Sequence, residues 1–334
     1  MKPTDPVRSS SRRAASGAWS RLKPAREDLL EAYGLPSKGE TRLNDFKTQE
    51  IYFNRIIERY MKLCALNREE LDSLFACVSI PTASATDRKN STASLKLTSS
   101  FSSLSLSKHA PPEHQTTKPT TTSSSTQSIP QKAFAPSIQE LSTVLASLRK
   151  LREAITASSR CDAFALRAYT FAIHVSILCH DWASYLPSLL SLLNIIHPRN
   201  PLPASTLHEF VGLLILDQAC RQSDFAGARE TKLQYSYRDW RVEAVLKALV
   251  ADDYVGFWRV RRAVDGYQRS VMEWADGGVR VHALKCLGKA YLSADRTFVE
   301  RATERRWDEL VQEGVGWALS EDGEKVIIKK PKGT

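Results

Sequence analysis

Apolar residues recur at helical spacing through most of the chain. Leu141, Val144, Leu145, Leu148, Leu151 and Ile155 mark one face of a helix, and Ser137 with Glu140 before them forms an S-x-x-E pattern that predicts a capping box. Further helical patterns cover Asp162–His180, Trp182–Ile196, Ser205–Cys220, Asp224–Leu233, Trp240–Ala251, Tyr254–Val264 and Val279–Ala290. Polar breaks separate them at Asp181, at His197-Pro198-Arg199-Asn200-Pro201, at Gln222-Ser223-Asp224, at Asp252-Asp253 and at Gly277-Gly278. Helices of about 12–18 residues joined by short turns pack as antiparallel neighbours. The expected fold class is therefore mainly α, with an α-solenoid of paired helices over residues 137–292.

The pattern changes on both sides of that stretch. Residues 1–23 are polar and basic with few large apolar side chains, and predict a disordered terminus. Residues 24–80 predict a separate helical segment. Pro24 and Gly34 bracket a short helix, Phe46, Ile51, Ile56, Tyr60, Met61 and Cys64 predict a longer one over 44–66, and Glu69 to Val78 adds a further turn or two. Residues 81–136 predict a disordered linker. From Thr82 to Pro130, Ser and Thr fill 23 of 49 positions, so little apolar surface is left to offset an ordering cost of about 1–2 kcal/mol per residue.

Residues 293–332 predict a third kind of unit. Two short helices, Arg296–Arg301 and Arg306–Gln312, precede the segment GVGWALSEDGEKVIIKK. There Val315, Trp317 and Leu319 alternate, Asp322-Gly323 signals a tight turn, and Val326-Ile327-Ile328 is β-branched. Helices followed by one hairpin is the order of a winged helix, with Trp317 pinning the hairpin to its helices. The apolar triplet predicts an open strand edge suited to pairing with a partner strand, limited by Lys329-Lys330-Pro331. The expected partner-binding residues are Trp317, Val326, Ile327 and Ile328.

Charge sharpens this division. The net charge is +10, yet residues 1–26 carry +6 and residues 82–136 carry +4, so the rest of the chain balances. The basic character belongs to the flanking segments and does not by itself argue for a nucleic-acid-binding fold. Even so, Arg259, Arg261, Arg262 and Arg269, then Arg305 and Arg306, then Lys329 and Lys330, form clusters on or near the winged helix. They are the residues that would meet RNA phosphates if RNA were a partner. Arg262 stands four residues from Trp258, the spacing for a cation–π stack. Trp182, Trp240, Trp258 and Trp274 are expected in the core.

No nucleotide-binding, metalloprotease or serine-hydrolase pattern occurs, and no cofactor or small-molecule substrate is expected. His174 lies in an apolar helix, six residues from His180, which is not a metal-binding spacing. Cys179 and His180 point about 100° apart on a helix and cannot form a nucleophile–base dyad with each other. The chain begins without an apolar leader and has no run of about 18 apolar residues, so no membrane span is expected. Its scattered cysteines lack a C-x-x-C pair and suit a reducing compartment, cytoplasm or nucleus.

Three stretches carry a family resemblance: DWRVEAVLKALVADDYVGFWRVRRAV, VRVHALKCLGKAYLS and WDELVQEGVGWALSEDGEKVIIKK. Together they resemble the PCI superfamily, in particular the group of COP-nine signalosome subunit eight, the small Nin-one-type proteasome lid subunit and subunit k of eukaryotic initiation factor three. The matching positions are Ala248-Leu249, Asp253-Tyr254, Phe257, Arg280 and Gly316-Trp317. The resemblance implies a non-catalytic scaffold subunit that assembles with other PCI-type subunits through its winged helix. Arg280, Ala283-Leu284 and Lys289-Ala290-Tyr291 are also similar to the Sac-three/GANP branch, which would imply messenger-RNA processing or export and RNA as a partner.

Overall fold

A computed structural model describes residues 30–39, 41–68, 71 and 135–329. Residues 1–29 and the Ser/Thr-rich stretch lie outside the described residues. So does the expected helix over Glu69–Val78, apart from Leu71, which is helical. The described part of the short helix expected before Gly34 is a turn starting at Leu30.

The protein is mainly helical. In chain order the longer helices are α1 (Phe46–Leu66), α2 (Ala135–Ala157), α3 (Ala163–Leu178), α4 (Trp182–Ser191), α5 (Ala204–Leu216), α6 (Phe225–Gln234), α7 (Trp240–Val250), α8 (Tyr254–Ala263) and α9 (Gly266–Ala290). The C-terminal unit adds β1 (Ser293–Asp295), α10 (Arg296–Thr303), α11 (Trp307–Gln312), β2 (Ala318–Leu319) and β3 (Lys325–Ile327). α4 and α5 each run on into a π-helical turn, Leu192–Ile196 and Asp217–Arg221.

One local device sets most of the helix boundaries. A residue with positive φ ends a helix at Ser159, His180, Ser223, Ser236 and Asp252. An aspartate then caps the next helix through its carboxylate, as Asp162 does to Ala165 N–H, Asp181 to Ser184, Asp224 to Gly227, Asp239 to Arg241 and Asp253 to Gly256. Such caps stabilise a helix by about 1 kcal/mol each and leave few orphaned N–H groups.

The long helix α9 differs from its expected form. A break at Gly277-Gly278 does not occur, and the helix runs through both glycines from its cap at Asp265. Glycine costs about 1 kcal/mol in a helix interior. Burial of Val271, Met272, Ala283, Leu284 and Leu287 outweighs it. α9 also reaches back to α3 and α5, so the body is closed by contacts between elements far apart in sequence.

The Ser137–Glu140 capping box does not form either. The helix already includes Ala135, so both residues lie inside its first turns. Ser137 bonds Asn67 Oδ1, and Glu140 pairs with Arg59 of α1 at 2.5 Å. α1 buries a different face from the one its strongest apolar residues suggest. Tyr52, Phe53, Ile56 and Leu63 are buried, while Phe46, Ile51 and Met61 are largely exposed. Tyr52 and Phe53 make edge-on ring contacts with Tyr33, Phe164 and Phe171, and this aromatic packing decides the face.

Two hydrophobic cores result. The first runs from Leu30 to Met272 through the helical body. The second comprises Leu284, Leu287, Val299, Ala302, Trp307, Leu310, Val315 and Val326 in the C-terminal unit.

Candidate interaction site

The C-terminal unit folds in the order helix, strand, helix, helix, strand, strand. Its sheet has the strand order β1-β3-β2, antiparallel throughout. Sequence patterning identifies the hairpin but misses β1, because Ser293-Ala294-Asp295 is small and polar, with no alternation and no β-branched side chain.

β1 overturns the expected binding edge. Val326 and Ile327 pair with Ala294 and Ser293 on one side and with Leu319 and Ala318 on the other. Ile328 N–H donates to Leu292 C=O at 2.9 Å. The apolar triplet is therefore the middle of the sheet, and Val326 is wholly buried. Trp317 is partly buried in the second core, next to Gly288 of α9.

Among the described residues, the outer strands of the sheet are β1 and β2. Leu292–Ile328 and Arg296–Glu324 are hydrogen-bonded positions of the β1–β3 ladder. Alternation in an antiparallel pair then turns the N–H and C=O of Ser293 and Asp295 away from β3. Beside this edge stand Tyr291 and Leu292, 44% and 64% exposed. An unpaired strand edge flanked by exposed apolar side chains can accept a strand from another chain.

The tryptophans divide between core and surface. Trp258 is buried and its indole N–H donates to Ala302 C=O at 3.0 Å, joining α8 to α10. Trp307, which sequence reasoning did not single out, is buried in the second core. Trp182 is partly buried, with its ring edge-on to Tyr185 and Trp274. Trp240 and Trp274 are mostly exposed, contrary to expectation, because they sit at a helix start and on the outer face of α9.

The basic residues are brought close to carboxylates rather than into a bare cationic surface. Arg261 lies 2.8 Å from Asp276 and 3.6 Å from Glu273. Arg262 pairs with Glu304 and not with the Trp258 ring. Arg269 donates to the carbonyls of Arg261 and Val264. Arg305 pairs with Glu309 and Glu313, and Arg306 lies 3.9 Å from Asp308. Arg259 and Lys329 are exposed, and Lys330 is outside the described residues. Arg280 is buried and donates to Thr303 C=O at 3.1 Å. Burial lowers its pKa, as does neighbouring Arg305.

Arg261, Glu273, Asp276, Gly277, Arg280, Glu304 and Arg305 line a polar cavity of about 500 Å3 between α9 and α10. Burial pushes Asp276 up to about 6, against the pull of Arg261 and Arg280. Its Oδ1 and the Arg261 Nε are buried without a hydrogen-bond partner. A carboxyl raised in the folded state binds its proton more tightly there than when unfolded, so stability should fall as pH rises from about 4 through 6. Asp276→Asn is expected to flatten that slope and to raise stability at pH 7.5 by on the order of 1 kcal/mol, allowing for partial solvent access. Urea denaturation at a series of pH values measures both.

The residues that invite catalytic readings are engaged in packing. His174 Nε2 lies 2.7 Å from Glu209, and the ring stacks on Tyr267 and Phe210. Cys179 is buried and its thiol is pushed up to about 12, far from the thiolate form a nucleophile needs. Among the described residues, no group of His, Cys, Asp and Glu could hold a metal ion. Among the same residues, no helix is long and apolar enough to cross a membrane. No protein-family model matches the chain, and no curated protein is found similar to it.

Proposed function

We propose that the protein is a non-catalytic scaffold subunit of a multi-subunit complex, of the PCI type. On this view the helical body is a stack of paired helices closed by α9, and the C-terminal unit is a winged helix that joins a neighbouring subunit by strand addition in the cytoplasm or nucleus. The observation that carries the proposal is the open edge of β1, with Tyr291 and Leu292 exposed beside it. The helix–strand–helix–helix–strand–strand order supports the winged-helix assignment. The carboxylate partners of Arg261, Arg262, Arg305 and Arg306 weigh against RNA as the principal partner, since a phosphate would have to displace them.

Ser293→Pro tests it. The Ser293 N–H points away from β3, so proline there removes a donor that a partner strand would use and no ladder bond. Stability is expected to change by less than about 1 kcal/mol, while affinity for co-purifying subunits falls roughly tenfold or more, the loss of about 1.4 kcal/mol. Affinity purification with mass spectrometry reads the outcome. Undiminished recovery of the same partners would overturn the β1 contact.

A further inference from the structure

α9 belongs to both cores, and its bonds change sides near its midpoint. Before Gly277-Gly278, Val271 and Met272 are buried in the first core, and Glu273 and Asp276 pair with Arg261 of α8. After the pair, Arg280 bonds Thr303 C=O of α10, Leu284 and Leu287 enter the second core, and Gly288 lies under Trp317. Val279 still packs partly on the first core and His282 faces Tyr254 of α8, so the changeover spans Gly277 to His282.

Nothing in the packing requires glycine at either position. Both take ordinary helical backbone angles, and a Cβ added to either would meet no atom within 4 Å. Each glycine lowers helix propagation roughly fivefold relative to alanine, so the pair weakens the helix roughly twenty-five-fold where the two units meet. The space around them is open on two flanks. Gly277 faces the polar cavity of about 500 Å3, and Gly278 lines a second cavity of about 320 Å3 with Phe225, Leu249, Trp274 and His282.

From this geometry we propose that Gly277-Gly278 is a hinge, about which the C-terminal unit pivots on the helical body. The polar cavity supplies room for the movement. Two contacts from α8 to α10 hold the closed position: the Trp258 indole on Ala302 C=O, and Arg262 with Glu304. Opening would part these contacts and the packing of Tyr254 against His282 and the second core, while the bonds of Arg261 and Arg280 stay on their own sides of the glycines. The pivot needs no partner and stands apart from the proposed scaffold role.

Hydrogen exchange on the full chain tests it, comparing the natural sequence with Gly277→Ala/Gly278→Ala. The open space lets both alanines fit, and the single variants serve if the double variant folds poorly. In the natural protein, amides of residues 277–282 should exchange faster than those of 268–273 and 284–289. In the variant they should slow roughly tenfold or more. A hinge further requires slowed exchange at residues 258–263 and 299–305, where α8 meets α10. Slowing confined to 277–282 would mark a merely weak helix and overturn the hinge, as would exchange in the natural protein no faster than in the flanks.

Discussion

Arg160→Ala is expected to detach α1 from the helical body, at a cost of about 3–5 kcal/mol. The Arg160 side chain is 3% exposed and contacts Asp162 and Glu50 at 2.8 and 2.5 Å. It also donates to Phe46 C=O and Gln49 Oε1, and its guanidinium lies over the rings of Phe46 and Phe164. One cation thus binds the start of α1 to the α2–α3 turn. Its removal leaves the part-buried Phe46 carbonyl and the buried Gln49 amide oxygen without this donor, as well as a void. Glu50 and Asp162 are about half exposed and can turn to water, which keeps the loss near the lower end of that range. Chemical denaturation should show the loss. Limited proteolysis should show cleavage within residues 46–66 before the helices of 137–292 are cut, an order the natural protein should not show.

Trp258→Ala should cost about as much, roughly 3–5 kcal/mol, for a different reason. The ring fills the junction of α8 with α10 and packs edge-on against Phe257. Its N–H is the bond from the first core to Ala302 of the second. Trp258→Phe separates the two contributions. It keeps most of the apolar contact and loses the hydrogen bond, so about 1–2 kcal/mol is expected. If the alanine variant unfolds in two steps, with the C-terminal unit melting first in calorimetry, the two cores are separable cooperative units.

Much of the helical body is legible in the sequence because short-range chemistry sets it. Asp181, Asp224 and Asp253 stand at expected breaks and are caps, and helical apolar spacing places α2 through α8 within a few residues. What sequence patterning misreads depends on tertiary neighbours. The α1 face is chosen by rings from α3, the Gly277-Gly278 helix is held by two cores, and the Ser137 and Glu140 side chains turn to α1. The strand edge is misplaced for the same reason. Val326-Ile327-Ile328 has the composition of an edge only while β1 is unseen, and three small polar residues give no local signal for a strand. The arginine clusters look cationic along the chain because their carboxylate partners, Glu304 for Arg262 and Asp276 for Arg261, are supplied by other turns and helices.

The strand order β1-β3-β2 has a consequence for synthesis. The strand that joins the other two is translated after both of them. Until Lys325–Ile327 has left the ribosome, neither β1 nor β2 has a backbone partner, and Leu310, Val299 and Trp307 lack the Val326 side chain that closes over them. Nascent chains that stall before this point present unpaired strands and an uncovered apolar pocket, the form that chaperones bind and that aggregates most readily.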